Sequence, residues 1–145
     1  MPQVSRRKLN KEVANKIFET LLEAVSQMRS KSEVSMFIND LLSPVERTMI
    51  AKRLAIAVLL LKRWDYPSIK DFLKVSNATV SKVSLIIQVN RGYKEVVDKL
   101  TRTEAGKDFW RDILVLAQRL GVAKDTFADE KLLRHKLGIK KKTLL

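Results

Sequence analysis

The chain has 145 residues, 46% of them apolar, with only four glycines, three prolines and no cysteine. That suffices for one core and a small appendage, and it excludes disulfides and thiolate metal sites, as fits a reducing compartment. A formal net charge of +13 points to a polyanionic partner, the bland alternative being a merely soluble basic surface. The longest apolar run, residues 54–61, is too short to span a bilayer, and the N-terminus has no apolar stretch of the secretory kind.

Residues 1–9 form a basic arm in which Arg6 and Arg7 can touch phosphates, or simply a frayed terminus. Residues 11–28 carry two adjacent apolar stripes, one through Val13, Ile17 and Leu21, the other through Phe18, Leu22 and Val25. They predict an amphipathic helix whose apolar arc is wide enough to need more than one neighbour, which a dimer partner could supply. A short helix follows over 33–42, with Ser32 as its cap. Ser43, Pro44 and Glu46 make the sharpest helix start in the chain: a serine that caps, a proline at the first helical position and a glutamate that closes a capping box. The helix they open should run to about Arg63 and, being apolar all round over 54–61, should be the central one. Pro67 should end it, because the residue before a proline is pushed out of the helical region.

Residues 68–84 read as two short helices joined by a tight turn. Ile69, Phe72, Leu73, Val75, Val80 and Val83 supply the apolar lock, and Ser76 or Asn77 caps the second helix, which should continue to Asn90 and stop at Arg91 and Gly92. This is the pattern of a helix-turn-helix, whose second helix enters the DNA major groove. Lys70 and Lys74 depart from it, standing where a small residue and a glycine are common. With Val80 and Val83 turned inward, Ala78, Thr79 and Lys82 face outward, Ser81 lies at the flank, and Ser76 and Asn77 form the tip. Thr79 offers a methyl for thymine and a hydroxyl for a base edge or phosphate, and Lys82 a donor for guanine. Lys70 and Lys74 would lie near the phosphate backbone and position without specifying, and Ser68 is counted with them among the DNA-binding residues.

Beyond this, a short helix is expected over 93–100. A longer one should be capped by Thr103 and closed by Gly121, with Phe109, Trp110, Ile113 and Leu116 on its apolar face. A last helix should begin at Asp125 or Thr126 and end at Gly138, before a basic tail over 139–145. No run alternates long enough to be a strand, so the fold class is all-α. The only histidine, His135, reads as a surface residue, and Asp125, Asp129 and Glu130 as helix-start acids. Trp64 and Trp110 read as core or interface anchors. No catalytic residue, metal site or cofactor is expected.

The run Phe37-Ile-Asn-Asp-Leu-Leu-Ser-Pro-Val-Glu-Arg47, then Arg53, then Ala78-Thr-Val-Ser-Lys82, resembles the tryptophan repressor superfamily, in its repressor-like branch. The resemblance covers roughly residues 10–90. The chain then divides into a Trp-repressor-like helix-turn-helix domain over 10–92 and a C-terminal helical extension over 93–138, which exceeds the family's usual C-terminus. The resemblance also implies an intertwined homodimer that binds operator DNA through paired recognition helices, in the bacterial cytoplasm on the nucleoid. The family's tryptophan site carries over poorly. Arg53 matches the arginine on one side of the ligand's indole ring, but Lys82 stands for the arginine on the other side. Val83 stands for the glycine that makes room. The resemblance therefore implies no tryptophan corepressor here, and leaves Arg53 a salt bridge or a phosphate contact.

The expected function is that of a sequence-specific DNA-binding transcriptional regulator. Two alternatives stay open: a nonspecific nucleic-acid binder, architectural or RNA-directed, and a protein-interaction module that uses the C-terminal helices. Under the first reading, removal of residues 93–145 should leave DNA binding largely intact.

Overall fold

The computed structural model describes residues 7–122, which are all-helical and contain no strand. In chain order the helices are α1 (Lys11–Gln27), α2 (Lys31–Leu41), α3 (Pro44–Leu61), α4 (Tyr66–Leu73), α5 (Asn77–Val89), α6 (Gly92–Arg102) and α7 (Glu104–Arg119). Arg6, the helix expected over 125–138, His135 and the tail lie outside the described residues. The chain divides into two compact units, Met1–Ala51 and Lys52–Leu145, so the boundary falls inside α3.

In the first unit the helix starts are set by local hydrogen bonds. Asn10 caps α1, its Oδ1 accepting the amide of Glu12 at 2.8 Å. Ser30, rather than the expected Ser32, caps α2: its Oγ accepts the amide of Glu33 at 3.1 Å, while the Glu33 carboxylate accepts the amide of Arg29 at 2.9 Å. A serine followed by a glutamate three residues on satisfies two orphan donors, and Ser32 has no such partner on the same spacing. The capping box at α3 forms as expected. The amide and hydroxyl of Ser43 donate to the Glu46 carboxylate at 2.8 and 2.7 Å, and the Glu46 amide donates to the Ser43 hydroxyl at 3.3 Å. The Arg47 guanidinium donates to the side-chain oxygen of Asn39, which joins the first turn of α3 to α2. Neither α1 nor α2 contains a buried residue; Ile17 and Phe18 are 57% and 58% exposed.

The second unit holds the core. Ile56, Ala57, Val58 and Leu59 are four consecutive buried residues of α3, which is possible only for a helix covered on every side. Ile69 of α4, Val80, Val83 and Ile87 of α5, Val97 of α6, and Trp110 and Ala117 of α7 complete the cluster. α6 and α7 thus contribute to the core, through Val97, Trp110 and Ala117. α6 and α7 meet closely at Gly106, where a Cβ would fall 1.7 Å from the carbonyl oxygen of Leu100.

α3 ends at Leu61, close to the expected Arg63, which is itself the stop, in the left-handed region at φ 66°, with the Trp64 amide returning to the Leu59 carbonyl at 3.1 Å. Pro67 instead opens α4: Asp65 caps it by accepting the Ser68 amide at 3.2 Å, and a proline in the first turn lacks only an N–H that has no helical partner there. Gly92 likewise starts α6 rather than stopping α5, which Asn90 ends in extended conformation. At the far end Thr103 caps α7 by accepting the Gly106 amide at 3.0 Å, and Gly121 closes it in the left-handed region at φ 66°, both as expected.

Candidate nucleic-acid interface

α4 ends in a left-handed residue, Lys74, at φ 52° and ψ 56°. Its amide and that of Val75 both return to the carbonyl of Lys70, which satisfies the end of α4 and reverses the chain. Ser76 is extended, and its Oγ accepts the Thr79 amide at 3.2 Å to start α5. The turn between the two helices is therefore only Lys74, Val75 and Ser76. Ile69 and Val80, both 0% exposed, and Val83, 3% exposed, anchor its two arms to the core. From α3, the Lys52 ammonium donates to the Lys74 carbonyl at 3.4 Å, which ties the turn to the central helix.

Lys70 and Lys74 are exposed beside this turn, and Ser76, Asn77 and Ala78 are exposed at the tip of α5. Lys82 is exposed one turn further on. Thr79 and Ser81 are half-buried, and the Thr79 hydroxyl lies 2.9 Å from that of Ser76, engaged in the cap. Ser68 is half-buried in the first turn of α4. Arg53 is exposed on α3 and Arg7 is exposed ahead of α1. The fold therefore gathers Lys70, Lys74 and the residues of 76–82 along one turn and one helix start.

One part of the exposed face of α5 was not singled out from the sequence. Ala78, Lys82, Leu85 and Val89 follow one another at intervals of four, three and four residues, so they share the side opposite Val80, Val83 and Ile87. Leu85 is 60% exposed and Val89 80%. The interval from Ala78 was the available signal.

A short helix, a three-residue turn and a capped second helix with an exposed, small-residue tip define a helix-turn-helix, a DNA-binding class. The pattern of the family described as Trp repressor protein matches residues 16–101, from within α1 to the end of α6, and the chain belongs to that family. It is accordingly a DNA-binding regulator of the helix-turn-helix type, from a regulatory rather than an enzymatic family. α7 lies beyond the matched residues. Neither a curated protein nor a solved structure matches the chain. Among the described residues, no helix is long and apolar enough to cross a membrane.

Proposed function

We propose that this protein is a sequence-specific transcriptional regulator that binds duplex DNA as a homodimer, with α5 in the major groove. The observation that carries the proposal is the exposed start of α5: a serine-capped N-terminus, small side chains at Asn77 and Ala78, and Lys82 one turn in, on a helix held by Val80 and Val83. Small residues let the backbone approach the base edges, and the amides of the helix start favour phosphate. Lys70 and Lys74 supply backbone contacts that set the register. In this assignment residues 10–92 form the DNA-binding module and residues 93–138 its extension.

The dimer is supported by α1. Its apolar stripes carry the residues that a helix packs inward, yet Ile17, Phe18 and Leu22 are each more than half exposed. An apolar face of this extent is a surface for association.

DNA binding is proposed to be independent of tryptophan. Val83, where the family pattern has a glycine that makes room for the ligand, is 3% exposed and built into the core. Its isopropyl group cannot leave without opening a cavity under the recognition helix.

Selection of bound duplexes from a random pool at about 150 mM salt tests the whole assignment. A palindrome with half-sites about one helical turn apart is the expected result, unchanged by added tryptophan. A flat selection with steep salt dependence would show nonspecific binding instead.

A further inference from the structure

The ridge of α5 opposite its core side holds one charge, Lys82, between Ala78 and Leu85. We infer that Leu85 is a specificity-determining residue that reads a thymine C5-methyl group, so that the preferred half-site places thymine next to the base pair contacted by Lys82. The inference rests on the DNA-binding function proposed above.

At about 1.5 Å rise per residue, Leu85 lies about 4.5 Å beyond Lys82 along the axis and about 10.5 Å beyond Ala78. Leu85 is therefore the next exposed side chain of that row after Lys82, one turn further from the tip, and Val89 lies one turn beyond it. Within the groove, the thymine methyl is the apolar feature that the base edges present, and an aliphatic side chain is its natural partner. Leu85 has no polar atom with which to read anything else.

Its exposure of 60% is unfavourable in water, and covering it would recover transfer free energy. Leu85 continues the row that starts at the exposed tip of α5, so the surface that brings Ala78 and Lys82 to DNA brings Leu85 as well. A second copy of the chain is the competing cover, and it predicts a different outcome.

The test uses the full chain and its selected duplex, with each thymine of the half-site replaced in turn by uracil, which removes only the methyl group. One position is expected to weaken wild-type binding by about fourfold, the ratio that burial of one methyl-sized group gives. Leu85→Ala should weaken binding to the thymine duplex by at least as much, and should show no further loss on the uracil duplex. The inference is overturned if no uracil substitution matters, or if Leu85→Ala loses equally on both duplexes. It is also overturned if Leu85→Ala changes the oligomeric mass in sedimentation, which would assign Leu85 to a protein interface. A wild-type protein without any sequence preference would instead remove the DNA-reading function itself.

Discussion

The ammonium of Lys62 lies 5.2 Å from the centre of the Trp110 ring, a cation–π contact that joins the residue just past α3 to α7. Trp110 is 5% exposed and is the largest side chain that α7 contributes to the core. α7 lies outside the family match, yet it shares an apolar cleft with Ala55 and Leu59 of α3 and with Phe72 and Leu73 of α4. α7 therefore packs beside α4, the first helix of the DNA-binding motif.

Trp110→Ala should lower stability by about 3–5 kcal/mol, the range for emptying a large aromatic site. Urea denaturation with far-ultraviolet circular dichroism measures it. Lys62→Met should cost only about 0.5–1 kcal/mol, since it removes the cation–π contact and keeps the stem. Loss of less than 1 kcal/mol from Trp110→Ala would mean that α7 is not part of the core.

Lys74 holds a left-handed conformation that glycine adopts without strain. Lys74→Gly should stabilise the fold by about 1 kcal/mol. If the lysine is there to touch a phosphate, the same change should weaken DNA binding on all sequences and reduce the slope of log affinity against log salt by about one. An unchanged salt slope would leave Lys74 without that role.

Lys82→Ala should lose discrimination at one base position, worth about 1–3 kcal/mol between the preferred base pair and its competitors. Competition binding with single-position variants of the selected half-site gives the number. Equal weakening on every variant would make Lys82 a phosphate contact.

The helix starts make stability depend on pH at the acid end. Hydrogen bonds from the hydroxyl and then the amide of Ser43 hold the Glu46 carboxyl below the ordinary range. The Lys107 ammonium, by a 2.6 Å hydrogen bond and then by its charge, does the same for Glu104. A carboxyl whose folded value is depressed contributes stability that is complete above its unfolded value, about 4.3, and that is lost as pH falls through the folded one. Acid titration of helicity should therefore show a loss below about pH 4 that the double variant Glu46→Gln, Glu104→Gln reduces. An identical acid limb in that variant would place the loss elsewhere.

The sequence determined the all-α class, the capping box at Ser43 and Glu46, the central helix and the α7 boundaries at Thr103 and Gly121. Each follows from interactions within four residues or from the burial pattern of a single helix. It also located the helix-turn-helix, because Ile69, Val80 and Val83 must sit at fixed offsets to lock two short helices. Pro67 and Gly92 were misread as stops because a proline or glycine near a boundary marks either side of it. Which side depends on the neighbouring cap: the Asp65 carboxylate, which accepts the Ser68 amide, put Pro67 inside α4, and the extended backbone of Asn90 ended α5 before Gly92. Only the tertiary structure decided that α6 and α7 belong to the core, since Trp110 meets Lys62 across 48 residues of sequence, and no local pattern encodes a contact at that separation. It also decided that Leu85 faces solvent although its hydrophobicity suits a core. The reason is that burial is assigned by which faces of α5 the neighbouring helices cover, and they cover the side of Val80, Val83 and Ile87.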